Sequence, residues 1–300
     1  MNKEYKEQVR LLLDVLPFVA EEPKLALHGG TAINLFVRDM PRLSVDIDLT
    51  YIPIEDRVTT LHGIEEILLR LKRKIEGSLI GVEIEPKPKI GKLLISNEKV
   101  TIKLEINLVG RGIFENTEKA FLCDLAQEQF DAFVEIDMVP FAQLFGGKIC
   151  AALDRQHPRD LFDIKYLLET EGFSEELRRG FVYCLLGSER PIFELLSPHR
   201  LDQREALTNQ FDGMTDISFS YEDYESTRED LIRVVNQSLT NEDKKFLVSF
   251  KSLEPDWSIY PYEQYPSIRW KLLNLQKLKD NNPKKYAEQV GRLENFLEKD

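Results

Sequence analysis

The sequence is poor in the residues that build disulfide frameworks and zinc sites: 300 residues hold only three cysteines and four histidines. Cys123, Cys150 and Cys184 are odd in number, widely spaced and set beside Leu122, Ile149 and Leu185. They are expected as buried free thiols, not as bridges or metal ligands. No two histidines stand at ligand spacing, which argues against zinc. No apolar run approaches the roughly 20 residues of a membrane span. Met1-Asn2-Lys3-Glu4-Tyr5-Lys6 opens a charged amphipathic helix and not a signal peptide, so a cytoplasmic protein without membrane contact is expected. Repeats and low-complexity segments are also absent. Cations are in deficit, and a net charge of −12 argues against a protein that simply coats nucleic acid. The deficit is uneven. Between residues 70 and 103 stand nine cations (Arg70, Lys72, Arg73, Lys74, Lys87, Lys89, Lys92, Lys99, Lys103) against Glu76, Glu83, Glu85 and Glu98. That stretch reads equally as a polyanion-binding rim or as a solvated helix and hairpin edge.

What is present begins with an ordinary globular balance of 42% hydrophobic and 31% charged residues, enough for two modest domains. Helical spacing marks residues 4–20, 31–38 and 56–75. Strands are expected at 24–28, 42–51, 79–85, 92–96, 100–109 and 134–140, the fifth with strict alternation. From residue 141 on the pattern is helical: 141–154, 160–170, 181–187, 226–237, 241–253 and 266–279. The stretch Gly213–Glu225 reads as an exposed connection without chemistry. The fold class is therefore α+β, with a small mixed sheet and flanking helices over residues 1–138 and a helical domain over 139–300.

Two constellations carry chemistry. In the first, Leu27-His28-Gly29-Gly30-Thr31-Ala32 places a glycine turn at a helix start, where free N–H groups bind anions. The strand that follows carries Ser44, Asp46 and Asp48 on one face, neighbours along it roughly 6.6 Å apart, while Leu43, Val45, Ile47 and Leu49 pack behind. Acids on a half-buried strand need partners. A pair so spaced can hold one or two hard divalent cations, which travel with phosphates. Glu105, in mid-strand on a polar face, is a candidate third ligand, or merely the wet side of an alternating strand.

The second constellation is Gly146-Gly147-Lys148, followed twelve residues later by Arg159-Asp160-Leu161-Phe162-Asp163. The small residues let another backbone or a ligand come close. A Walker A loop is excluded because the spacing and the Ser/Thr are missing. Lys148 can hold a phosphate as a point charge. Asp160 and Asp163 share a helix face. Asp160 also reads as a helix N-cap or as the partner of Arg155 or Arg159.

Taken together and in this order, Leu27–Thr31, Arg42-x-Ser44-x-Asp46-x-Asp48-Leu49, Gly147-Lys148 and Arg159-Asp160-x-x-Asp163 resemble the AbiEii-type abortive-infection toxins. These are a branch of the nucleotidyltransferase superfamily. The segment Ile268-Arg269-Trp270-Lys271-Leu272-Leu273-Asn274 also looks like that family's C-terminal region. The resemblance implies a nucleotidyltransferase fold for residues 1–138, with the helical domain closing over the cleft. It implies a toxin of a type IV toxin–antitoxin and phage-defence system, encoded beside an antitoxin whose direct contact is left open. Gly29, Gly30, Thr31, Ser44 and Lys148 would hold a nucleoside triphosphate, and Asp46 and Asp48 would bind Mg²⁺, with Glu105 as third acid by position. Asp160 or Asp163 would be the second functional acid. Thr31 stands where the superfamily often has Ser, and keeps the hydroxyl. The expected reaction is two-metal transfer of a nucleoside monophosphate onto RNA, a tRNA 3′ end in the better-known cases. A protein-directed nucleotidyltransferase or kinase, or a non-catalytic nucleotide- or antitoxin-binding module, remain as alternatives.

Overall fold

A computed structural model describes residues 1–298 of the chain. Two compact units divide it: residues 1–140 together with 211–218, and residues 141–210 together with 219 onward.

The first unit opens with α1 (Lys3–Ala20), whose N-terminus is capped by the Asn2 side chain accepting from the Glu4 N–H. β1 (Leu25–His28) leads into α2 (Gly29–Ala32), which runs on as a π-turn through Ile33–Val37. β2 (Asp46–Tyr51) follows, then α3 (Arg57–Ser78), capped by the Asp56 carboxylate accepting from the Val58 and Thr59 N–H groups. β3 (Glu83–Lys87), β4 (Lys92–Ser96), β5 (Thr101–Asn107), β6 (Glu118–Phe121), α4 (Asp124–Phe130) and β7 (Glu135–Met138) complete it. The strands form one mixed sheet in the order β3-β4-β5-β2-β1-β7-β6. The pairs β2–β5 and β1–β7 are parallel and the rest antiparallel.

Period-two alternation divides this sheet into a dry and a wet face. Ile47, Leu49, Ile102, Leu104, Ile106, Leu93 and Ile95 are buried on one side, against α1 and α3. Each such side chain contributes about 1.5–3 kcal/mol of burial. The wet face is left to Asp46, Asp48, Lys103, Glu105 and Lys92.

Several boundaries differ from the sequence reading. Residues 42–45 join no ladder, so the acid strand starts at Asp46 and Ser44 precedes it. α3 continues to Ser78, and the chain turns at Gly81 (φ +77°), so β3 starts at Glu83 and not at Leu79. β6 and α4 are too short and too polar to leave a periodic signal. Residues 211–218, of which 213–218 were expected as part of an exposed connection, belong to the first unit. Met214 is buried, its carbonyl accepts from the Leu43 N–H at 2.7 Å, and the Thr215 hydroxyl donates to the Pro41 carbonyl at 2.7 Å. A run of small and acidic residues gives no periodic hint of that docking.

The second unit is helical among its described residues: α5 (Phe141–Arg155), α6 (Pro158–Thr170), α7 (Glu175–Gly187), α8 (Ile192–Leu196), α9 (Arg204–Ala206), α10 (Tyr221–Ser238), α11 (Asn241–Lys251), α12 (Pro266–Asn281) and α13 (Pro283–Leu297). A Ser220/Asp223 capping box starts α10 earlier than residue 226, where the apolar spacing begins. α5 and α7 cross at backbone distance. A Cβ on Gly146 would lie 2.5 Å from the Gly180 carbonyl oxygen, and one on Gly180 would strike the Ala142 carbonyl. The small-residue stripe thus admits a helix. The three thiols are free, and burial pushes Cys150 well above its ordinary pKa, Cys184 to about 12 and Cys123 to about 11. Among the described residues no helix is long and apolar enough to cross a membrane.

Candidate active site

In the first unit the glycine turn and the acid strand are built against each other. Gly29 has φ +75°, a left-handed conformation that side chains rarely adopt. A Cβ there would also collide with the Asp48 carboxylate. A Cβ on Gly30 would sit 2.9 Å from the Ser44 hydroxyl and 3.0 Å from the Arg42 guanidinium. Both glycines therefore let polar side chains come up to the turn. The buried Thr31 hydroxyl bonds the Asp46 carbonyl oxygen at 2.6 Å and lies 3.1 Å from the Ser44 hydroxyl. Thr31 thus ties the turn to the start of β2, and its hydroxyl is committed to protein atoms.

The sheet register sets what surrounds the acids. Asp46 stands beside Lys103, and Asp48 beside Glu105 on one side and His28 on the other. Glu105 is in the right row for a third ligand, but its carboxylate is held by Lys92 at 3.1 Å and Lys103 at 3.2 Å. Among the described residues no three of His, Cys, Asp and Glu are grouped to hold a metal ion. Burial would lower the Lys103 pKa, but Asp46, Asp48 and Glu105 outweigh it and raise the value above that of an ordinary lysine. In the sequence Lys103 reads as part of the basic rim and of the polar face of its alternating strand. The register with Asp46, invisible without knowing that β2 and β5 are neighbours, gives it a place in the site.

That basic rim largely dissolves. Arg70 is bidentate to Glu22 at 2.6 and 2.8 Å, Lys72 bonds Glu76, Lys74 bonds Glu21 at 2.9 Å and Lys99 bonds Glu7 at 3.1 Å. Lys87 pairs with Glu85 at 3.4 Å, and Lys92 and Lys103 share Glu105. Only Arg73 and Lys89 form no ion pair among the described residues.

In the second unit, Lys148, Asp160 and Asp163 come together on α5 and α6. The Lys148 ammonium, 7% exposed, lies 2.8 Å from Asp160 and 3.0 Å from Asp163, both carboxylates nearly fully buried. Arg155 adds a two-pronged contact to Asp160 at 2.6 and 3.0 Å. Burial pushes the Asp160 carboxyl up, yet Lys148 and Arg155 outweigh it and hold the pKa well below the carboxylate range. The N-cap of α6 is His157, accepting from the Arg159 N–H at 3.1 Å, so Asp160 is an ion-pair partner and not a cap. A buried triad of this kind costs desolvation and keeps one cation fixed in place. Of the two arginines that the sequence offers Asp160 as partners, Arg155 is the one that pairs with it.

The family profile described as "Nucleotidyl transferase AbiEii toxin, Type IV TA system" matches residues 10–274. The chain belongs to the AbiEii family. It is a nucleotidyltransferase toxin by family, and its fold agrees. The nucleotidyltransferase toxin MenT4 from Mycobacterium tuberculosis H37Rv is similar, with a TM-score of 0.63, 14% sequence identity, and 90% of this chain and 93% of that chain covered. No curated protein matches the sequence significantly. In this AbiEii chain both motif clusters fall on the residues just described, one within each unit.

Proposed function

We propose that this AbiEii toxin transfers a nucleoside monophosphate from a nucleoside triphosphate to an RNA acceptor, a tRNA 3′ end, with Mg²⁺ held by Asp46 and Asp48. The observation that carries the reading is the pair of carboxylates on one sheet face, with Gly29 conformed so that nothing intrudes on Asp48. Two carboxylates suit Mg²⁺, which keeps several waters and takes substrate phosphates as its remaining ligands. The bound ion would supply Lewis acidity to the phosphates and to the acceptor hydroxyl. Glu105 holds Lys92 and Lys103 and is left out of the ligand set. In the reaction the acceptor oxygen forms a bond to the α-phosphorus, and the bond to the bridging oxygen breaks, releasing pyrophosphate. Gly29 and Gly30 give the triphosphate access to backbone N–H groups. Thr31 and Ser44 fix the turn against β2. Lys148, steadied by Asp160 and Asp163, is the phosphate-contacting charge, and Asp160 is the acid that keeps it oriented. The cognate antitoxin is a partner by family.

A protein acceptor is the second reading, favoured by the neutralisation of the 70–103 rim by neighbouring acids. The deciding experiment supplies each α-labelled triphosphate with Mg²⁺ to total RNA and, separately, to total protein. Label on RNA, lost in a folded Asp46→Ala variant, is the expected result. Label on protein overturns the RNA assignment, and full activity in Asp46→Ala overturns the site.

A further inference from the structure

Away from both motif clusters, the second unit buries two lysines that no carboxylate neutralises. Lys251, the last residue of α11, is 3% exposed, and its ammonium donates to the Gln289 side-chain oxygen at 2.7 Å. Lys271 on α12 is 8% exposed and donates to the carbonyl oxygens of Ser188, Glu189 and Arg190, which uses all three of its N–H bonds. Neither forms an ion pair among the described residues. Lys271 is thereby explained as a tie across the turn between α7 and α8. Lys251 is not: two of its three donors have no protein acceptor.

Lys251 lines a cavity of about 550 Å³ with Phe193, Glu194, Lys285, Gln289 and Arg292. It also lines a second, of about 390 Å³, with Ser188, Trp270, Lys271 and Asn274. Lys285 and Arg292 on α13 form no ion pair among the described residues, and Glu194 is engaged by Arg190 at 3.6 Å. The larger cavity is of the size that holds small molecules. It has cationic donors at its floor and rim, and an apolar wall at Ile192, Phe193 and Leu293. A buried ammonium without a counter-ion is costly, and a bound anion would offset that cost. Burial pushes both lysines down to about 8, the direction an anionic ligand would reverse.

We propose that the cavity between α8, α11 and α13 is a second ligand site, taking a phosphate-bearing small molecule whose phosphate sits on Lys251 and whose uncharged part lies on Phe193 and Ile192. Lysine suits this task because it meets a phosphate as a compact point charge with rotatable donors. The site uses none of the residues assigned to nucleotide transfer, so the two stand or fall separately.

Isothermal titration of the full chain without Mg²⁺ tests it, with inorganic phosphate and AMP as the two probes. At least one probe should bind, at least tenfold more weakly to Lys251→Met and with unchanged affinity to Asp46→Ala. Tighter binding of AMP assigns a phosphate monoester. Tighter binding of inorganic phosphate overturns the part played by the apolar wall. Binding of neither probe, or equal binding to Lys251→Met, overturns the site. Arg292→Met, an exposed change on α13, serves if Lys251→Met fails to fold, and should weaken binding in the same sense.

Discussion

A single backbone angle at Gly29 decides whether Asp48 can face the glycine turn. Gly29→Ala adds a Cβ that strains a left-handed residue and collides with the carboxylate. It should lower stability by about 1–3 kcal/mol in urea titration and abolish transfer even where the fold survives. Asp160→Asn probes the other cluster. Breaking a buried pair on one side costs about 3–5 kcal/mol, and the amide should keep the loss near the lower figure. The pH dependence has a definite sign. A carboxyl held below its ordinary 3.8 contributes stability that is present above that value and lost as pH falls below it. Asp160→Asn should therefore flatten the acid limb of stability below about pH 4, read from urea midpoints at pH 3–5. At this scale much of the site was legible, because Gly-Gly-Thr, Asp-x-Asp and Gly-Lys with Arg-Asp are local patterns. Lys103 beside Asp46 and the commitment of Thr31 to Asp46 were not, since each depends on which strand or helix lies alongside.

At the scale of elements, alternation and helical spacing located most strands and helices, and missed those whose cause is not periodic. α13 starts from Pro283 and an Asn282 cap and does carry helical spacing at Tyr286, Val290, Leu293 and Leu297, so this helix was legible and the sequence reading stopped short of it. β6 has no alternation to read. The crossing of α5 and α7 is the contact most sensitive to substitution. Gly146→Ala inserts a methyl where the Gly180 backbone already lies, and a well-packed crossing cannot yield cheaply. A loss of about 1–3 kcal/mol is expected, measured as a shift in the denaturant midpoint with the slope unchanged. A shift near zero would mean the helices separate freely at that point.

For the whole molecule, alkaline pH is the informative variable. Lys251 and Lys271 release protons near pH 8 when folded, whereas an unfolded lysine holds its proton to about 10.5. At these two groups the unfolded chain binds more protons between those values, so their contribution to stability rises with pH across that window. The groups near them are Glu194, Glu189, Cys150 and each other. The buried thiols of Cys123, Cys150 and Cys184, raised above their ordinary 9.0, act the opposite way from about pH 9 upward, and buried Tyr260 and Tyr262, raised above 10.0, do so at higher pH still. The lysine share is read as a difference between urea midpoints at pH 7.5, 8.5 and 9.5: Lys251→Met should be more stable than the parent at pH 7.5, and that advantage should shrink as pH rises. The segment 211–218 bears on synthesis. It clasps residues 41–43, just ahead of Ser44 and Asp46, but leaves the ribosome well after them. At about 5–20 residues per second, the first unit waits some 4–16 s after its residue 140 is made before that clasp can close. Through this delay the Leu43 N–H and the Pro41 carbonyl wait for their partners, so the stretch that leads into the acid strand is the last part of the first unit to be tied down.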